Sequence, residues 1–320
     1  MKALVTGANG FTGSHLVRAL EARGDTVVGL VRQTSNLARL ANSNVQLVYG
    51  DITNGAALKT AMDGIDTVFH TAACVDLGTV DEAEMERVNV DGTRTVLEAA
   101  QAASVQKLVY CSTIGVLGDT QGQVVDETYQ RTQKDFSSAY DRTKYEAQHW
   151  VDRFAAQGLP VVSILPAGIL GTDDPHFGPV FRLFLSGRLK LWPGGDRMTG
   201  IVHVDDLVTA MLLAAAKGTP GDRFIISAGE LKTREMFACI GAITGVSVPA
   251  DAPEWLIRLV GNLLDPIGQL TGWNLPLNRE RVHYIYDRCV RVDATKAREV
   301  LGWQPRSIEE TLRSALPASQ

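Results

Sequence analysis

The chain has 320 residues, 45% hydrophobic and 21% charged, the composition of a globular protein with a sizeable core, and the length suits one large domain plus a smaller lobe. A formal net charge of −5 and a pI near 5.7 exclude a general electrostatic attraction to nucleic acid or to an anionic membrane, so a phosphate-rich ligand needs a local site. Cys74, Cys111, Cys239 and Cys289 lie far apart without metal-ligand spacing, no apolar run reaches membrane-spanning length, and a strand beginning at Lys2 leaves no room for a signal peptide; the expectation is a cytoplasmic protein with reduced thiols and no metal.

In chain order, short β-branched runs alternate with longer helical patterns: strand 2–6 and helix 12–23, strand 26–31 and a turn, strand 45–49 and helix 55–63, strand 66–71 and helix 83–103. Strand 107–112, helix 139–157 and strand 160–165 continue the series. Such repetition predicts an α/β fold, a doubly wound parallel Rossmann sheet covered on both faces. Beyond residue 166 the rhythm breaks at Pro/Gly-rich turns and becomes mostly helical. The division expected is a Rossmann domain of residues 1–168 with about 201–217, and a smaller C-terminal substrate lobe of about 169–200 and 218–320.

The first strand runs into "VTGANGFTG". Gly7 suits the sharp turn, Gly10 lets backbone amides approach a pyrophosphate, and Gly13 permits close helix–strand packing. The following helix turns its positive end to the anion. Glycines also serve plain strand–helix turns; placement at the first strand of a βαβ unit favours the dinucleotide reading.

An acidic residue at the end of the second strand would accept the ribose hydroxyls of NAD. Here the strand ends "GLVRQTSN", with Arg32 in that place. A guanidinium suits a 2′-phosphate, so NADP(H) is favoured and NAD(H) is the alternative, with Ser35, Asn36 and Arg39 available for further contacts. An exposed loop charge is the plain reading of Arg32. Asp51, after the third strand, is placed to cap the 55–63 helix.

"YDRTKYE" sets Tyr140 and Lys144 four apart, on one face of a helix that follows a strand ending "VYCST". A phenol near pKa 10 is a poor proton shuttle at neutral pH, and a neighbouring ammonium is expected to lower it. Tyr140 then gives a proton to a carbonyl as hydride arrives, or takes one from an alcohol in reverse.

These segments, with "VHVDDLVTAM" at 202–211 and "KAREVLGWQP" at 296–305, resemble the extended short-chain dehydrogenase/reductase family over nearly the whole chain. The likeness is strongest to its dihydroflavonol-reductase-like and 3β-hydroxysteroid-dehydrogenase-like branch, through "LVRQTSN" and "PAGILG". It implies that Asn9, Phe11 and Thr12 join the glycines around the cofactor, that Asp51 and Ile52 hold the adenine, and that Thr71, Ala72 and Ala73 pass beside the cofactor. It further implies that Asn89 helps on the cofactor side, that Lys144 holds the nicotinamide ribose, and that Pro166 and Gly168 border the same site. Of the strand-end hydroxyls, the family pattern places Thr113 at the catalytic position and Ser112 just before it.

The implied activity is an NADP(H)-dependent oxidoreductase that interconverts a ketone and a secondary alcohol. A nucleotide-sugar epimerase or dehydratase is the alternative. That branch commonly shows Arg-Asp-aromatic before its His-Val, where this chain has "RMTGIV", and an Arg-Arg-Pro-Gly-Asp-like segment, where this chain has "YDRCVRVD". Arg197, Arg279 and Arg288 remain as possible phosphate binders. A non-catalytic NADP sensor is a third reading, disfavoured by the presence of both Tyr140 and Lys144. The lobe offers "VFRLFL", "LKLW" and the 253–264 stretch with Trp255, either its own core or the wall of a pocket for an apolar small-molecule substrate. His70 and His203 are expected to be structural, and the family pairs helices equivalent to 83–103 and 139–157 in a homodimer.

Overall fold

The computed structural model describes residues 1–75, 81–271, 273, 275 and 277–317. Seven strands form the central sheet: β1 (Lys2–Thr6), β2 (Thr26–Val31), β3 (Gln46–Tyr49), β4 (Thr67–His70), β5 (Lys107–Cys111), β6 (Val161–Pro166) and β7 (Arg223–Ile226). Their order across the sheet is β7-β6-β5-β4-β1-β2-β3, and every adjacent pair is parallel. The chain runs outward from β1 through β2 and β3, then returns to β4 on the other side of β1. That reversal opens a crevice at the carboxyl ends of β1 and β4, where such sheets bind ligands.

Alternation along each strand feeds two cores. Ala3, Val5, Phe69, Val109 and Ile164 face one layer with Leu16, Val17 and Met211, while Leu4, Val68, Leu108 and Tyr110 face the other with Val96, Leu97 and Val151. Both faces are therefore dry, which is why the strands read as continuous apolar runs; each fully buried leucine or valine contributes ~1.5–3 kcal/mol.

The C-terminal part holds more strand than its helical pattern implies. Gly168–Leu170 pairs in parallel with Ile201–His203, and Met198–Ile201 pairs antiparallel with Gly229–Lys232. A third core gathers Leu170, Phe181, Phe184, Ile201, Leu231, Phe237, Ile240 and Leu312. "VFRLFL" thus supplies core through Phe181 and Phe184, and Leu189 and Trp192 of "LKLW" pack against it. The 253–264 stretch behaves differently. Residues 254–264 lie in helix Glu254–Thr271, whose Trp255, Leu259, Leu263 and Ile267 are exposed to solvent and stand outside the third core.

Candidate active site

The glycine turn sits at the crevice. Gly7 has φ +68°, a left-handed conformation that disfavours a side chain, and a Cβ there would stand 2.9 Å from Ala72 Cα. On Gly13 a Cβ would stand 2.1 Å from Gly7 O, so α1 (Phe11–Ala22) can close onto the turn only because this residue is glycine. Gly10 is the N-cap of α1, makes no side-chain cap bond, and is followed by no acidic residue in the first turn. The amide dipoles of Phe11, Thr12 and Gly13 are left without a capping side chain, which fits a diphosphate. Asn9 donates to Asn36 O at 3.2 Å, tying this turn to the loop after β2.

At the end of β2, Arg32 is exposed and its guanidinium has no hydrogen-bond or ion-pair partner among the described residues, while its backbone amide donates to Ser35 Oγ at 3.1 Å. Arg39 is not similarly available: its guanidinium donates to Asp173 O at 2.6 Å, across to the loop after Leu170. Asp51 does not cap the next helix. Asn54 does so through bonds from Ala56 and Ala57, while Asp51 Oδ1 accepts from the Thr53 amide and hydroxyl at 2.9 and 2.8 Å. Burial acts to raise the Asp51 carboxyl, but the two Thr53 bonds with Arg87 and Arg32 outweigh it and hold it below the usual range. Ile52 packs its side chain against Gly92 in the core.

Segment 71–73 lies directly beside the glycine turn. Thr71 Oγ1 donates to Thr6 O at 2.7 Å, and the Ala72 amide donates to Thr6 Oγ1 at 3.3 Å. Thr6 Oγ1 also meets His70 Nδ1 at 2.8 Å, and His70 Nε2 meets Thr93 Oγ1 at 3.1 Å. Burial, helped by Lys144, pushes His70 down to about 3, so it is a neutral structural group. His203 Nδ1 accepts from the Asp205 amide and is bonded to Arg306, again a structural arrangement. Among the described residues no cluster of His, Cys, Asp and Glu could hold a metal ion.

Asn89 occupies a feature the helical pattern conceals. The predicted 83–103 helix is Glu82–Glu86, a π-helical turn Arg87–Asp91, and Gly92–Ala102. The widened turn directs the buried Asn89 carboxamide at the Cys74 amide (2.8 Å), Cys74 O (3.0 Å) and Thr143 Oγ1 (3.0 Å). It therefore clamps the segment after β4 to the helix that carries Tyr140 and Lys144.

That helix, Ala139–Ala156, starts at a Ser138 cap whose hydroxyl accepts from the Asp141 amide. Lys144 is buried, donates to Cys111 O at 2.8 Å and stands 4.4 Å from the Tyr110 ring centre. Ser112 continues the β5–β6 ladder through its amide, and its Oγ is buried without a hydrogen-bond partner among the described residues. Thr113 follows, with Oγ1 accepting from the Gly115 amide at 3.1 Å. The expected lowering of the Tyr140 phenol by Lys144 is not what prevails. Burial pushes it well above the usual tyrosine range, and Tyr284, Cys111, Asp141 and Tyr110 act in the same direction. Such a phenol stays protonated at neutral pH and suits the donor role. Pro166 ends β6, and Gly168 lies against Gly200 O, where a Cβ would stand at 3.1 Å.

The three arginines singled out for a diphosphate are all engaged. Arg288 pairs with Asp141 at 3.0 Å and covers the Tyr284 ring; Arg197 donates to Tyr284 O at 2.7 Å and covers the same ring. Arg279 lies on the surface with Asn262 and Asp265. Asp141, Thr143 and Tyr284 were not singled out from the sequence, since their partners are distant in the chain.

The profile of the NAD dependent epimerase/dehydratase family matches residues 3–227. The chain belongs to this family. It is an enzyme of the extended short-chain dehydrogenase/reductase type, an oxidoreductase in a family that uses NAD(P). Among family relatives, the sterol demethylase protein B of Methylococcus capsulatus is 31% identical over 99% of this chain and 97% of its own length. The 3-beta-hydroxysteroid dehydrogenase of Mycolicibacterium neoaurum is 34% identical over 99% of this chain and 90% of its own length. Of solved family structures, a UDP-glucose 4-epimerase from Thermotoga maritima with UDP-glucose superposes with a TM-score of 0.81 at 26% identity, covering 98% of this chain and 97% of that one. No helix among the described residues is long and apolar enough to cross a membrane.

Proposed function

We propose that this enzyme is an NADP(H)-dependent oxidoreductase that interconverts a ketone and a secondary alcohol on an apolar substrate. The observation that carries the choice over a nucleotide sugar is the engagement of Arg197, Arg279 and Arg288 by the protein's own groups. A diphosphate would have to displace them. Sterol and hydroxysteroid names among relatives spanning the whole chain support the same substrate class.

The bound cofactor supplies or accepts a hydride at its nicotinamide. The amides around Gly7, Gly10 and Gly13, with Asn9, Phe11 and Thr12, hold the diphosphate; Arg32 and Ser35 hold the 2′-phosphate; Asp51 and Ile52 hold the adenine. Thr71, Ala72, Ala73, Pro166 and Gly168 border the cofactor, and Asn89 keeps the first three in place. Ser112 and Lys144 orient the nicotinamide ribose. Thr113 donates a hydrogen bond to the substrate oxygen, and Tyr140, protonated at neutral pH, transfers its O–H proton to that oxygen as the carbonyl carbon becomes a C–H centre. In the reverse direction the Tyr140 oxygen receives the alcohol proton.

The test is nicotinamide absorbance against time with NADPH or NADH and a panel of apolar ketones that includes a 3-ketosteroid, beside a Tyr140→Phe control. NADPH oxidation lost in the control supports this reading. Epimerisation of a nucleotide sugar without net absorbance change replaces it, and the likeness to the Thermotoga epimerase keeps that arm necessary. The reading also includes residence in the cytoplasm, the division into cofactor domain and substrate lobe given above, and a homodimer through the packed helices Gly92–Ala102 and Ala139–Ala156. Trp150 lies there between Arg94 and Arg153. A monomeric mass by light scattering contradicts the dimer.

A further inference from the structure

Asp141 directly follows Tyr140, yet its carboxylate belongs to a different part of the molecule. It is buried, accepts from Ser137 Oγ, and pairs with Arg288, 147 residues away and itself buried. The same guanidinium lies 4.4 Å from the Tyr284 ring centre. Tyr284 is on helix Arg279–Tyr286, one turn after Glu280, whose Oε1 accepts from the Ala139 amide at 2.7 Å. The turn that carries Thr113 meets the pair as well: a Cβ on Gly115 would stand 2.3 Å from Asp141 Oδ1 and 2.9 Å from Arg288 Nη2. The Thr113 turn, the first turn of the Tyr140 helix and the C-terminal segment thus converge on one buried ion pair.

We propose that Asp141 and Arg288 are a positioning pair through which the C-terminal segment 279–288 fixes the start of the Tyr140 helix and sets the charge around the Tyr140 phenol. The proposal rests on Tyr140 being the proton donor of the reductase reading. Desolvation keeps both charges dependent on each other, because neither is hydrated on its own. Around Tyr140 stand Tyr110 and Cys111 from β5, Asp141 from its own helix, and Tyr284 and Arg288 from the C-terminal segment; Lys144 lies against Tyr110 and Cys111, Glu280 and Arg197 bear on Asp141 and Tyr284, and Arg131 bears on Asp141 and Arg288. Removing only the carboxylate leaves an uncompensated cation beside the phenol, and removing only the guanidinium leaves an uncompensated anion. The two changes act on the phenol with opposite sign.

Tyrosinate absorbance titrated in the whole enzyme, minus the same titration in Tyr140→Phe, isolates the Tyr140 phenol without any turnover. Asp141→Asn is expected to move that titration down by ~1 pH unit, Arg288→Met to move it up by ~1 unit, and the double variant to return it towards wild type. Arg288→Lys keeps the charge and is expected to stay near wild type, the control for loss of the side chain's shape; where Arg288→Met does not fold, the downward shift in Asp141→Asn set against an unmoved Arg288→Lys carries the test. Shifts of the same sign in Asp141→Asn and Arg288→Met, or none in either when folded, overturn the proposal. Opposite shifts in an enzyme that reduces no ketone would uphold the pair while removing the reductase reading; ketone reduction with an unmoved titration would do the reverse.

Discussion

Asn89 and Thr143 are joined by a 3.0 Å hydrogen bond across 54 residues of sequence, and the other polar contacts of Asn89 are the backbone amide and carbonyl of Cys74. One carboxamide thus holds the segment after β4, the π turn and the Tyr140 helix in register. Asn89→Ala removes all three bonds in a buried setting, and each buried partner left without one costs ~1–3 kcal/mol. A lowered Tm is expected with a larger loss in kcat than in KM for the ketone, measured by thermal unfolding and steady-state kinetics. An unchanged Tm would show that the clamp is not structural.

Gly13→Ala places a methyl 2.1 Å from Gly7 O, a clash with backbone that a side-chain rotation cannot relieve. The turn must open, so loss of dinucleotide binding and a destabilisation of ~1–3 kcal/mol are expected. Gly55→Ala is the control, since its Cβ would find Thr95 Cγ2 at an ordinary 3.8 Å and the position begins a helix. Urea unfolding and cofactor titration of both variants separate a steric requirement from a general sensitivity to alanine.

Arg32→Asp replaces an unpaired guanidinium with a carboxylate at the end of β2. A charge-assisted phosphate contact is worth ~1.5–3 kcal/mol, so kcat/KM for NADPH is expected to fall roughly 10- to 150-fold while that for NADH rises or holds. Equal effects on both cofactors would take Arg32 out of the site.

Acid stability carries the signature of His70. Its folded pKa, about 3, lies below the usual 6.5, so between these values the unfolded chain binds a proton that the native chain excludes. Stability from this group is complete above pH 6.5 and is lost as pH falls towards 3. Urea midpoints measured from pH 7 to pH 4 should fall less steeply in His70→Gln than in the wild type. Parallel slopes would place the acid sensitivity elsewhere.

Six strands of the sheet were legible because each is a contiguous apolar run bounded by turn residues: β1 and β2 were read at their observed limits, and β3 to β6 within two residues at either end, whereas the edge strand β7 was missed in a stretch read as mostly helical. The glycine turn was legible because steric needs are local. What remained hidden depends on partners far apart in sequence. Nothing near Asp51 says that Asn54 caps the helix in its place, nothing near Arg39 announces Asp173, and Asp141 and Arg288 meet only after the C-terminal segment folds back. The π turn at Asn89 escaped because its side chains keep a helical pattern, though the polar residue in an otherwise apolar face was the available signal. The 253–264 stretch stayed open because an apolar stripe at helical spacing reads alike whether it faces a core or solvent, and here Trp255, Leu259 and Leu263 face solvent.

The most direct measurement follows a labelled hydride. NADPH carrying deuterium at the reactive nicotinamide carbon is incubated with the enzyme and an apolar ketone, and the product is examined by mass spectrometry and NMR. The account predicts one deuterium on the carbinol carbon, stoichiometric with NADP formed and abolished in Tyr140→Phe. Contradiction would come from a nucleotide sugar epimerised by the same preparation, with its hydrogen returned to the same carbon and no ketone reduced.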